Sequence, residues 1–185
     1  MKDLGDLKYF LGIEILRSKT NILLNQRKYA LELISESGLS GSKLAATPLE
    51  PNKKFNTVEY DELTGNTDDV IYKDVTAYQR LIERLLYLTT TRPDISFAVQ
   101  LLSQFMQKPK VSYWETCLRL VRYIKGCPGQ GILLSSTPST QLEAFCDSDW
   151  ASCPNTRRSV SGYLVKLGNS IISWKSKKQH TVSRS

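Results

Sequence analysis

Only one histidine, His180, and four irregularly spaced cysteines, Cys117, Cys127, Cys146 and Cys153, are present, too few and too scattered for a zinc site. Such sites need closely spaced Cys and His ligands, and no C-x-x-C pair occurs. The thiols read as reduced, buried or half-buried cysteines of an intracellular protein. No run approaches the about 18 apolar residues that cross a bilayer, so no membrane partner is expected. Met1-Lys2-Asp3-Leu4-Gly5 carries an acid and no apolar core, so no targeting signal is evident and the compartment stays open. Ser159, Ser161, Ser183 and Ser185 lie in no nucleophile motif, and His180 has no obvious acid partner, which argues against a hydrolase triad. There is no internal repeat and no low-complexity tract.

Within 185 residues, 41% are hydrophobic and 23% charged, which suits one large or two small globular domains. The net charge of +7 is unevenly placed: from Lys108 onward twelve Lys and Arg face four Asp and Glu, while the rest carries thirteen against fourteen. That asymmetry suggests a polyanion, most simply nucleic acid, although a Lys-rich solvated surface gives the same count.

Residues 9–17, YFLGIEILR, are strand-prone, and 21–26 follow after the polar turn Ser18-Lys19-Thr20, as in a hairpin. Residues 28–37 repeat Tyr29, Ala30, Leu33 and Ile34 at helical spacing, with Gly38 as a stop. Residues 40–76 are polar and broken by Pro48, Pro51 and Gly65, and read as a long loop or linker. Three helices are predicted next: one with Leu81, Ile82, Leu85 and Leu86 on a face, one opened by Pro93 with Ile95, Ala98, Val99 and Leu102, and one from Trp114 with Cys117, Leu118, Val121 and Ile124. On the last, Arg119, Arg122 and Lys125 recur every three residues, a stripe that could follow phosphates or merely face solvent. After Gly129 the pattern turns to short strands, 131–135, 142–149, 162–167 and 170–174, with a hairpin signal at Gly168-Asn169. This order argues for an α+β fold.

Several blocks carry a resemblance: DLGDLKYFLGIEI, QRKYALELI, TPLEPN, YQRLIERLLYLTTTRPDISFAVQLLSQFMQKP, LRLVRYIKGCPGQGILLSS and AFCDSDWASCPNTRRSVSGYLVKLGNSIISWKSKKQHTVSRS. In this order and spacing they resemble the Pol polyprotein of copia-type LTR retrotransposons, from the end of the reverse transcriptase into the start of its RNase H. The chain is also similar to short plant reading frames, some mitochondrial, derived from such elements. Glu83 stands where the family usually has Gly. The resemblance implies a reverse-transcriptase end with its primer-contact hairpin over 1–39, a linker over 40–76, a helical thumb or connection segment over 77–130, and a truncated RNase H-like antiparallel sheet over 131–185.

It also implies roles. Phe10, Leu11 and Gly12 would touch a primer in the parent enzyme; on the residues alone, Phe10, Leu11, Ile13 and Ile15 would pack inward. Asp147 would be the first-strand catalytic aspartate of RNase H, and Asp149 lies on the same side of an extended strand, although it could instead fall in the following turn. The parent enzyme would use two Mg²⁺ ions held by several carboxylates. The family's Tyr-x-Asp-Asp-like segment belongs ahead of Met1, and a Glu-bearing helix and an Asp-bearing strand after Ser185. This chain is therefore expected to be inactive alone and to hold no Mg²⁺ tightly. Arg157, Arg158, Lys175, Lys177, Lys178 and Arg184 would contact an RNA–DNA hybrid or other duplex. Other expected partners are the rest of the polyprotein, or a second copy through an open edge at 142–149, where apolar side chains including Trp174 would lose cover. The alternative is a domesticated, non-enzymatic interaction protein.

Overall fold

The computed structural model describes residues 5–51, 53–65, 68–149 and 155–181. The α+β expectation holds: two antiparallel sheets flank a helical core. The first sheet has the order β1 (Tyr9–Phe10), β2 (Ile13–Arg17), β3 (Asn21–Asn25) and β4 (Gly131–Ser135). The predicted strand over 9–17 is thus broken in two. Leu11 and Gly12 take φ of 44° and 76°, forming a tight two-residue turn whose twist suits the flanking strands. A Cβ at Gly12 would also press on the Tyr87 hydroxyl, 3.0 Å away. That hydroxyl donates to the Leu11 carbonyl, tying the turn to the helical core. The inward packing expected for Phe10 and Leu11 fails, since both are exposed; Ile13 and Ile15, beyond the turn, are half-buried.

Strand β4, read as the first of the C-terminal strands, pairs instead with β3 from Asn21↔Ser135 to Asn25↔Gly131. Gly131 permits this, because a Cβ would fall 2.0 Å from the Leu24 carbonyl oxygen. The second sheet has the order β5 (Leu142–Asp149), β6 (Val160–Leu167), β7 (Ser170–Lys178), with the expected two-residue turn at Gly168-Asn169.

Helix α1 (Arg27–Glu36) has no side-chain cap on Gln26; the orphan N–H groups of Arg27 and Lys28 are met by Asn25 Oδ1 at 3.0 Å and Glu14 Oε1 at 2.7 Å. Within the predicted linker lies α2 (Val58–Thr64), capped by Thr57, acidic in its first turn and stopped by Gly65 at φ 72°. A short polar segment without apolar periodicity hid it. Asp74 caps α3 (Val75–Leu88), accepting from the Ala77 N–H at 2.9 Å. A 3-10 turn, Pro93–Ile95, leads into α4 (Ser96–Leu102), and α5 spans Val111–Gly126.

The core gathers Ala30, Leu33, Ile34, Ile82, Leu85, Ile95, Val99, Leu102, Leu120, Val121 and Ile124. On α3 the buried stripe is Tyr78, Leu81, Ile82, Leu85 and Leu88, and Leu86 is exposed: the true 3.6-residue stripe runs on to Leu88. Glu83 faces solvent, so its departure from Gly crowds nothing. Polar groups fasten the 40–76 stretch to this core. Lys110 and Asp61 form a buried ion pair, Asp69 accepts from the Ser112 N–H and hydroxyl, and Lys53 donates to Thr116 Oγ1 at 3.0 Å. The stripe on α5 belongs to the same system. Lys125 Nζ donates to the carbonyls of Leu39 at 3.2 Å and Ser42 at 2.6 Å, and Arg119 reaches Thr47 Oγ1 at 3.0 Å and Glu50 at 3.6 Å. Arg122 is half-buried beneath the same segment, its carbonyl accepting from the Ala45 N–H.

Lys125→Met keeps the aliphatic stem and removes both donations, so the urea midpoint should fall by an amount equivalent to about 1 kcal/mol, with an unchanged m-value. A midpoint equal to that of the unsubstituted chain would show that the loop is held by other contacts.

Burial raises the thiol of Cys117 to about 12 and pushes up the phenols of Tyr78 and Tyr113. The fold therefore favours their neutral forms. That stability is complete below the ordinary thiol value of 9.0 and is lost as pH climbs toward 12. Urea midpoints measured from pH 7 to 11 should be flat and then fall, less steeply at the start of the decline in Cys117→Ala. Equal slopes in the two proteins would contradict the assignment.

Candidate nucleic-acid interface

The two aspartates singled out in sequence sit at the end of β5, and alternation along an extended strand sends both to one sheet face. Across the sheet Asp147 pairs with Gly162 and Asp149 with Val160. The Asp149 side chain accepts from the Val160 N–H at 2.9 Å, closing the start of β6. Asp147 has no hydrogen-bond or ion-pair partner among the described residues and is exposed. Pro93, Ser96 and Phe97 stand over this face, leaving a cavity of about 400 Å³ floored by Gly162, Leu164 and Trp174. Trp174 keeps its cover, contrary to expectation. Its indole N–H donates to the Thr89 carbonyl at 3.1 Å, seating the sheet on the end of α3. The uncovered apolar side chains are others: Leu142, Tyr163, Leu167 and Ile172, together with Phe145 on the edge strand.

A pair of Mg²⁺ ions needs several hard oxygen donors. Among the described residues no three His, Cys, Asp or Glu side chains converge. Of the two aspartates on β5, Asp149 already accepts a backbone N–H through one oxygen, and Glu143, the strand's third carboxylate, lies toward its far end beside Lys166. This donor set does not fit a two-ion centre.

The predicted cations divide into three groups. Arg119, Arg122 and Lys125 are half-buried, with Arg119 and Lys125 bonded to the 39–50 segment, so they form no open stripe. Lys175 and Lys177 are exposed on β7, paired across from Tyr163 and Ser161; by alternation they project from the face opposite Asp147, with Lys175 also touching one edge of the cavity. Lys178 is half-buried and engaged. Arg157 is exposed beside the carboxylate strand, and Arg158 is half-buried. Arg184, Trp150 and Cys153 lie outside the described residues. Phe10 and Leu11, both exposed, and the half-buried Gly12 form the tip of the first sheet, in a different sheet from Asp147.

Sequence reading missed a second groove, of about 760 Å³, between residues 48–55 and α4; it shares Phe97, Asp149 and Val160 with the cavity over Asp147. Its walls are far apart in the chain, and no local spacing announces them.

No family model and no solved structure matches the chain. Among curated proteins, all 185 residues align at 40% identity with an uncharacterized mitochondrial protein of Arabidopsis thaliana, covering 73% of it. They align equally at 40% identity with the retrovirus-related Pol polyprotein from transposon RE1 of the same plant, covering 12% of its length. The corresponding polyprotein from transposon TNT 1-94 of Nicotiana tabacum is 31% identical, with 14% of its length covered. The chain thus spans only a small part of the polyproteins it matches, and it belongs to the family of retrovirus-related transposon Pol polyproteins and their mitochondrial relatives.

Proposed function

We propose that the chain is a copia-type reverse-transcriptase and RNase H segment that binds duplex nucleic acid, RNA–DNA hybrid above all, without catalysing a reaction by itself. The observation that carries this reading is the alignment of the whole chain with transposon Pol polyproteins. In the intact parent the activities would be RNA-directed DNA synthesis and Mg²⁺-dependent hydrolysis of the RNA strand of a hybrid. There the Leu11–Gly12 turn would steady a primer and Asp147 would be one carboxylate of a nuclease centre. What supports inactivity here is the donor set: no third carboxylate joins Asp147 and Asp149 among the described residues. Phosphate contacts would come from the exposed cations of the second sheet, chiefly Lys175 and Lys177.

Affinity for a hybrid should therefore fall with salt, with a log–log slope of about 0.9 per phosphate contact by analogy with B-DNA. Lys175→Ala with Lys177→Ala should flatten that slope by nearly two contacts, while primer extension and hybrid cleavage stay at background with Mg²⁺ or Mn²⁺. A slope untouched by the double substitution, or cleavage abolished by Asp147→Asn, would refute the assignment.

A second reading, a domesticated interaction protein, is favoured by β5, an edge strand with Leu142 66% and Phe145 55% exposed. Pairing of β5 with a second copy should appear as concentration-dependent growth in light-scattering mass, suppressed by Phe145→Lys. A monomer at all concentrations would exclude it.

A further inference from the structure

The geometry points to a single-nucleotide slot in the groove between residues 48–55 and α4, where one unpaired base stacks on Phe97 and its phosphates meet Lys54 and Arg157. This inference rests on the nucleic-acid reading above and narrows it to a strand with an unpaired base.

Helix α4 turns Ala98, Val99 and Leu102 into the core. The same register leaves Phe97 43% exposed, in the groove wall. Leu101 and Phe105 continue the apolar surface, with Pro48 and Pro51 opposite. An aromatic face beside apolar walls is what a planar base needs, and stacking of this kind tolerates any sequence. A volume of about 760 Å³ leaves room for one nucleotide.

Charge selects the class of ligand. Three carboxylates line the groove; two are paired with cations, and the third, Asp149, accepts a backbone N–H and keeps its charge. Glu50 lies 3.9 Å from Lys53 and 3.6 Å from Arg119. Asp94 is gripped by Arg92, and Asp149 by the Val160 N–H. Among the cations, Lys53 is held by Thr116 and Ser112. Lys54 and Arg157 are exposed and have no partner among the described residues. The groove is thus an apolar slot rimmed by two unpaired cations, Lys54 and Arg157, against one unpaired acid, Asp149, a positive balance that favours an anion with a planar apolar body over a neutral peptide. Arg157 also sits at φ 53°, a conformation that a non-glycine residue holds at a cost and that is found disproportionately at functional sites. A paired base is covered by its partner and its stacked neighbours, so the slot suits a single strand or a frayed end.

Two measurements test this on the full chain. Single-stranded oligodeoxynucleotides carrying 5-iodouracil, irradiated with the protein, should cross-link to the peptide containing Phe97, located by mass spectrometry. In fluorescence anisotropy, Phe97→Leu should weaken single-strand binding about tenfold while Phe97→Trp retains it, and neither should change duplex binding. Lys54→Ala with Arg157→Ala, both at the surface, should flatten the single-strand salt slope by about 1.4, roughly 0.7 per contact. Cross-links confined to other peptides, or single-strand affinity unchanged in both Phe97→Leu and the double variant, would overturn the slot. If duplexes still bind in that case, the broader nucleic-acid reading survives; if neither form binds, both fall.

Discussion

The fold turns on the guanidinium of Arg92, which is only 2% exposed and bonded through each of its three nitrogens. Its Nε and Nη2 grip the two carboxylate oxygens of Asp94 at 2.9 and 2.7 Å, and its Nη1 donates to the Cys127 carbonyl at 3.1 Å, beside the ring of Tyr123. A buried charge is tolerable only when paired and hydrogen-bonded in this way. The contacts bind the corner after α3 to the end of α5, where the helix dipole favours a cation. Neighbouring residues on that corner carry the rest of the molecule. Gln26 Oε1 accepts from Thr91 at 2.8 Å, anchoring the start of α1, and Thr89 receives the indole of Trp174. The start of α1 and the second sheet are therefore fastened to one short segment, 89–94. Because Asp94 is committed to Arg92, the groove beside it keeps a positive balance.

Polar fastening repeats across the 40–76 stretch. Such a segment has too few apolar residues to hold itself down by burial alone, Phe55 being an exception against Phe105 and Tyr113. It is tied instead by Lys110 to Asp61, Asp69 to Ser112 and Lys125 to two carbonyls. Each donation satisfies a backbone or side-chain group that would otherwise be stranded at the core boundary. The apparent phosphate-binding stripe and the apparent linker are two halves of one interaction.

This explains what was and was not legible beforehand. Periodicity reports which side chains share a face, so the buried positions of α1 and α4 and the common face of Asp147 and Asp149 could be read directly. It does not report what covers a face. Arg119, Arg122 and Lys125 have the same spacing whether solvent, phosphate or a loop lies against them. Trp174 is a C-terminal tryptophan in any reading, and only tertiary structure supplies the Thr89 carbonyl. The pairing of β4 with β3 joins residues more than a hundred positions apart, and its one local trace is Gly131, whose missing Cβ allows the close approach. The turn at Leu11-Gly12 was the reverse case, a local signal hidden inside a run that looked like one strand.

The relation between the two cavities follows from where the second sheet is seated. With Trp174 docked on the end of α3, Pro93 and Phe97 stand over the carboxylate face. A broad ligand meets that helix before it can cross the sheet, and Asp147 is approached instead from the open edge of β5 or from the adjoining groove. Phe97 is common to both spaces, so the groove runs from its cationic rim, past an aromatic wall, toward the unengaged Asp147 carboxylate. In this arrangement α4 walls both spaces, and the contact that seats the second sheet beneath it is the one between Trp174 and Thr89.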